Sequence, residues 1–309
     1  MKSFGLWLMV LICLSCSENL KDFKTVGYLP TSKFETIDRI SLEKITHLNI
    51  AFAEPDSLGQ LETNGVSLNP IVQKAHTAGV EVYISLAGAS SPLDIWARWI
   101  DPQNRAAFIS DMIDFAKKNQ LQGIDVDLEW ETINEDYSGF VLELKDSLVA
   151  HKLGMTAALP GTYRYPEITD EALASFDWIN LMAYDLTGFW NPEKPGPHSP
   201  YSFAEQSIEY WEEQGLSKNK MTLGLPFYGY DFTDLNKIPS VTYGEMVEKD
   251  SSYAFQDAVG EIHYNGITTI EQKTRLAMRS LSGIMIWEIG QDHFGKYSLL
   301  DRIYQVIQK

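Results

Sequence analysis

Eight short runs rich in β-branched and aromatic residues recur along the chain, and they constrain its fold more than any other feature: FKTVGYLP (23–30), ITHLNIAFA (45–53), VEVYISLAG (80–88), GIDVDLE (123–129), GMTAALP (154–160), WINLMAYD (178–185), MTLGLPFYG (221–229) and SGIMIWEIG (282–290). Such runs favour strands. Helical faces fall between several of them. Phe108, Ile109, Met112, Ile113 and Ala116 share one face after the third run, Phe140, Val141, Leu144 and Leu148 do so after the fourth, and Leu299, Leu300, Ile303, Val306 and Ile307 close the chain. Asp101 and Pro102 read as the cap and first turn of the helix through Phe108. Strand and helix are expected to alternate throughout. No Pro/Gly/Ser-rich linker divides the 309 residues, which predicts an α/β chain folded as a single (β/α)8 TIM barrel over residues 17–309. A doubly wound sheet would want a glycine-rich turn after its first strand, and GYLPTSK lacks one. Between the seventh and eighth runs there is room for a helix and at most a small hairpin.

The fourth run carries the chemistry. In QGIDVDLEW (122–130), Asp125, Asp127 and Glu129 alternate with Ile124, Val126 and Leu128. Side chains two apart on a strand share a face, so three acids stand together. An amphipathic edge strand would merely wet them. On a barrel strand they rise through the interior toward the C-terminal rim, where barrels of this kind place their sites. Buried acids this close cannot all ionise near neutrality, so at least one holds a proton, as a general acid must.

Lys2, the apolar run from Phe4 to Leu14, and Ser15–Cys16 have the layout of a secretory leader, too short to span a bilayer. Residues 1–16 are therefore expected to be a signal peptide and lipobox, with the mature chain beginning near Cys16. Ending in a cysteine, the leader resembles a bacterial lipoprotein box with Cys16 as the lipidated N-terminus, although Cys13 stands where leucine is usual. The expected location is the exterior or the cell envelope, with the membrane met only through Cys16. The formal charge of −17 argues against a nucleic-acid partner. Both cysteines lie in the leader and the six histidines are scattered, so neither disulfide, metal nor cofactor is expected.

GIDVDLE resembles the fourth-strand signature of glycoside hydrolase family 18, the chitinases and endo-β-N-acetylglucosaminidases, which reads D-x-x-D-x-D-x-E. GYLP, ISLAG, LMAYD, LGLPFYG and GIMIWEIGQD match the family in order, so the resemblance spans residues 25–292. It implies Glu129 as general acid and base, Asp127 as the carboxylate that holds the substrate's N-acetyl group, and Asp125 behind it tuning its proton. Tyr184 and Asp185, in the run Met182-Ala183-Tyr184-Asp185, would brace the acetamido carbonyl. Trp287 would floor the distorted sugar and Tyr28 would line the wall. The implied reaction is retaining cleavage of β-1,4-linked N-acetylglucosamine polymers through an oxazolinium ion. Asp127 and Glu129 project from one side of one strand and cannot easily flank a sugar, which suits substrate assistance. The implied partner is an N-acetylglucosamine-containing oligo- or polysaccharide.

Two other readings share the motif: an endo-β-N-acetylglucosaminidase acting on N-glycan cores, and a non-catalytic chitin-oligosaccharide-binding protein, though the latter generally lacks the last acid. Ser85 and Gly88 are expected near the substrate chiefly as close-packing residues. Met182 and Trp190, the latter in the proline-rich run TGFWNPEKPGPHSPY (187–201), are subsite candidates. Trp96 and Trp99 read as packing, and Trp130 as core. Gln122 replaces the first Asp of the usual pattern, and Ala87 replaces the first Gly of the usual S-x-G-G.

Overall fold

The computed structural model describes residues 22–309; the leader, with Cys13 and Cys16, lies outside them. Eight parallel strands close into a barrel: β1 (Lys24–Pro30), β2 (His47–Pro55), β3 (Glu81–Ala87), β4 (Gly123–Asp127), β5 (Gly154–Pro160), β6 (Trp178–Met182), β7 (Met221–Pro226) and β8 (Gly283–Trp287). Closure is made by β1, which pairs in parallel with β2 on one side and β8 on the other. Each strand follows one of the eight sequence runs. The outer ring comprises α1 (Asn69–Thr77), α2 (Leu93–Ile100), α3 (Arg105–Lys118), α4 (Tyr137–Ala150), α5 (Asp170–Ser175), α6 (Tyr201–Glu213), α7 (Tyr243–Lys249), α8 (Ile267–Met278) and α9 (Leu299–Ile307).

The main core lies between strands and helices. Ile124, Val126 and Leu128 point outward into it, and the predicted faces of α3, α4 and α9 are buried against it. Phe108 of α3 and Phe140 of α4 stack with ring centroids 6.3 Å apart. This separation of faces sends the acids of β4 inward.

Three local expectations fail. The chain after β1 forms 3-10 turns over Thr31–Arg39 and Leu42–Lys44 instead of an α-helix, in a stretch whose Thr31, Ser32, Thr36 and Asp38 compete for their own backbone. Asp101 does not cap α3. Its carboxylate accepts from Gln103 N at 2.8 Å and its carbonyl from Asn104 N and Arg105 N, so Asp101–Asn104 is a turn between α2 and α3. The insertion between β7 and β8 also exceeds a hairpin. Strands Tyr228–Asp231, Ser240–Thr242, Ala258–Val259 and Ile262–His263 form a small antiparallel sheet, and Thr242 and Glu245 cap α7 with a reciprocal pair of hydrogen bonds.

A bulge in β2 shapes the barrel mouth. Ala51 pairs with Ser85 and Ala53 with Leu86, leaving Phe52 as the extra residue. Bulges re-aim side chains, and the Phe52 ring stacks on Trp287 at 5.6 Å.

Candidate active site

Strand alternation brings the inward residues of six strands to one polar layer below the mouth, with Asp125 as its acceptor. Tyr28 of β1 donates to Oδ2 of Asp125 at 2.6 Å and Ser85 of β3 to the same oxygen at 2.8 Å. Thr156 of β5 and Asn180 of β6 donate to Oδ1, the latter at 3.2 Å. Thr222 of β7 in turn donates to Asn180 Oδ1 at 2.7 Å. Four donors fill the accepting capacity of one carboxylate. Burial pushes the Asp125 pKa up, while Thr156, Tyr28 and Ser85 push it down by favouring the ionised form.

One step nearer the rim, Asp127 is also buried, but Oδ1 has no hydrogen-bond partner. Burial, then the charges of Glu129 and Asp125, hold its carboxyl well above the usual range. Asp127 is thus pushed toward its protonated form and keeps an unused polar atom.

Glu129 lies just past the end of β4, still extended at φ −131° and ψ 157°, so the alternation continues and its side chain follows those of Asp125 and Asp127. Burial and the charge of Asp185 push its pKa up to about 7.

Tyr184 and Asp185 leave the end of β6. Among the described residues the Tyr184 hydroxyl hydrogen-bonds only to the sulfur of Met285, at 3.8 Å, a weak acceptor that leaves it available to a better one. Gly224 makes room for this ring: a Cβ there would stand 2.3 Å from the Leu181 carbonyl and 2.9 Å from Tyr184. Asp185 accepts from Tyr228 and from Tyr230, the latter at 3.1 Å, and faces His198 Nδ1 at 3.3 Å. The inserted sheet, which carries both tyrosines, therefore orients a residue of the mouth.

These groups meet around one cavity of about 490 Å³, lined by Tyr28, Phe52, Glu54, Gly88, Asp127, Glu129, Met182, Tyr184, Asp185 and Trp287, with Ala51, Ala87 and Ala158 among the smaller residues. Its size is that of a small-ligand site. Trp287, at the end of β8, packs against Tyr28 at 5.4 Å and Phe52 at 5.6 Å, forming an apolar floor. Gly88, at φ +94°, is in the region glycine favours, and a Cβ there would lie 2.7 Å from the Phe52 ring.

The remaining sequence candidates separate by position. Ser85 is fully buried beside Asp125 and does not line the cavity. Trp190 lies on the rim against Phe189 and Tyr230, outside the cavity lining. Trp96 is buried, its indole donating to Glu54 at 2.6 Å. Trp130 corrects the expectation of a core residue: it is 59 % exposed. Its φ of 55° breaks strand alternation immediately after Glu129 and turns the ring outward. Gln122 accepts from Val82 N at 2.8 Å and contacts His76 at 2.9 Å. It joins β3, β4 and α1 below the site and does not line the cavity.

Sequence reasoning missed Phe52, Glu54, Asn180, Thr156, Tyr228, Tyr230 and His198. Tyr228 and Tyr230 alternate in PFYGYD, which marks one strand face; Phe52 carries no such signal because its direction depends on the bulge.

The family described as glycosyl hydrolases family 18 matches residues 24–292. A family 18 chitinase from the chitin utilization locus of Flavobacterium johnsoniae is 42% identical, with a TM-score of 0.90 over 93% of this chain and 94% of that one. A chitinase from Bacteroides thetaiotaomicron is 28% identical, with a TM-score of 0.80 over 92% and 96%. Probable chitinase 10 of Drosophila melanogaster is 26% identical over 88% of this chain, which spans only 15% of that relative's length.

Proposed function

From the premise that the chain belongs to glycosyl hydrolase family 18, a family of enzymes, we propose that it is a retaining hydrolase of β-1,4-linked N-acetylglucosamine polymers, chitin or its oligosaccharides. The observation that carries the reading is the single cavity in which Asp127, Glu129, Tyr184, Asp185 and Trp287 meet, with an unpartnered buried oxygen on Asp127.

In this reading the reacting sugar rests on Trp287. Its 2-acetamido oxygen attacks C1 while the C1–O bond to the leaving sugar breaks and Glu129 gives its proton to that oxygen. An oxazolinium ion results. Asp127 turns to hold the acetamido N–H and Tyr184 donates to the carbonyl, bracing charge that develops only as the ring closes. Water then attacks C1, Glu129 takes its proton, the oxazolinium C1–O bond breaks and the acetamide is restored. Two inversions at C1 retain configuration. The internal nucleophile supplies the proximity that a second flanking carboxylate would otherwise give.

With only a small sheet between β7 and β8, the cleft is read as open and the action as endo and non-processive. The leader over residues 1–16 adds export as part of the proposal, with Cys16 as a lipid anchor. The mass of the mature N-terminus tests that part. Product analysis on chitin hexamer beside a high-mannose glycoprotein tests the substrate. Oligomer cleavage alone supports the proposal, glycan release alone points to the endo-β-N-acetylglucosaminidase reading, and binding of the hexamer without new reducing ends points to a non-catalytic binder.

A further inference from the structure

Outside the cavity, one buried group stands apart. Lys273 of α8 is fully buried, and its Nζ donates to the Ser199 carbonyl and hydroxyl, each at 2.6 Å, and to Asn265 Oδ1 at 2.7 Å. All three acceptors are neutral. Burial pushes its pKa down to about 7, against the charge of Asp257. An ammonium kept from water without a hydrogen-bonded counter-charge costs free energy. An apolar side chain would fill the same volume without that cost, so what distinguishes lysine here is the set of bonds it makes.

Those bonds end on the chain that carries the mouth. Residues 183–186 leave β6 with Tyr184 and Asp185 among them, and Asp185 has a φ of 60°, a left-handed conformation that persists only when its surroundings hold it. His198 and Ser199 supply that hold. The Ser199 hydroxyl donates to the Ala183 carbonyl at 2.6 Å, Leu186 N–H donates to the His198 carbonyl at 2.9 Å, and the His198 ring faces Asp185. A hydroxyl has one proton to give. Accepting from Lys273 on one side, Ser199 Oγ turns that proton toward Ala183. Asn265 Nδ2 adds a bond to the Ser199 carbonyl at 3.0 Å. Ser199 is thus held by the outer ring and by the end of the inserted sheet, and neither it nor Lys273 lines the cavity.

We infer that Lys273 is a positioning residue for the reaction, acting through Ser199 to hold the turn that presents Tyr184 and Asp185. The inference rests on the hydrolase reading above. In that reading Tyr184 donates to a carbonyl whose charge develops as the ring closes, so a small displacement of the turn costs turnover more than it costs binding.

The test is Lys273→Met, which keeps a long unbranched side chain and removes the three donors. It is assayed on the N-acetylglucosamine hexamer at a temperature where circular dichroism shows wild type and variant fully folded. A kcat lower by about tenfold or more, with KM within about twofold of wild type, is the expected result. Ser199→Ala is expected to lower kcat in the same way, and the double variant to lose no more than Lys273→Met alone, because both cut one chain of bonds. A kcat within about twofold of wild type in folded Lys273→Met overturns the inference, whatever its Tm. Should that variant not fold, the same result in Ser199→Ala overturns it. Additive losses in the double variant overturn it too. If wild type leaves the hexamer uncut, the hydrolase reading fails, and hydrogen exchange at the Leu186 amide decides the fastening separately. Exchange about tenfold faster in Lys273→Met, with the amides of β4 unchanged, upholds it, and unchanged exchange at Leu186 overturns it.

Discussion

Asp125 and Asp127 stand two residues apart on one strand, yet Asp125 accepts four hydrogen bonds while Asp127 Oδ1 is buried without a partner. The difference divides their tasks. Asp125 is fixed by side chains from four other strands, whereas among the described residues no side chain hydrogen-bonds to Asp127 Oδ1. The turning proposed for Asp127, between its neighbour below and a substrate above, would use that freedom.

Tyr28→Phe removes one donor to Asp125 and also the hydroxyl that accepts from Asn180 Nδ2 at 3.0 Å. Leaving buried groups unpaired costs about 1–3 kcal/mol. A Tm lower by a few degrees is expected in thermal denaturation, together with reduced kcat. A Tm within ~1 °C of wild type would contradict the network's assigned weight.

Glu129, with a pKa pushed up to about 7, must carry a proton in the free enzyme to act as general acid. The pH profile of kcat/KM is therefore expected to fall above about 7, approaching tenfold per pH unit. A flat profile from about pH 7 to 9 would remove Glu129 from the role.

The same raised pKa fixes a sign for stability. Glu129 in the folded chain keeps its proton between the ordinary 4.5 and about 7, where the unfolded chain has lost it. Its stabilising contribution is thus fully present below the ordinary value and is lost as pH rises through about 7. Glutamine stays neutral throughout. Glu129→Gln is expected to abolish turnover, to match wild type in unfolding free energy near pH 4, and to exceed it near pH 8 by on the order of 3 kcal/mol. Lower stability than wild type at the alkaline end would contradict this account of the buried acid.

Legibility in the sequence followed the range of the interactions. All eight barrel strands are visible because each combines β-branched residues with an alternation that the closed sheet imposes, and the faces of α3, α4 and α9 because burial imposes their period. The acids of β4 are visible for the same reason. What sequence reasoning missed depends on contacts across the barrel or on one backbone angle. Ser85 reads in the sequence only as close packing near the substrate, because the register with β4 that sets it beside Asp125 is a contact between strands. Phe52 is set by a bulge, Tyr228 and Tyr230 by an inserted sheet, and Trp130 by a left-handed residue at the strand's end that reverses the direction alternation assigns.

In the proposed reaction the substrate's own acetamido group is the nucleophile, helped by Asp127 and Tyr184 and by a proton from Glu129. The most direct measurement sets the fully N-acetylated hexamer beside its de-N-acetylated counterpart, following new reducing ends and the anomer first formed. Cleavage of the acetylated chain with β-anomer released first, and no cleavage of the deacetylated chain, is the expected result. Equal cleavage of both chains would contradict the claim.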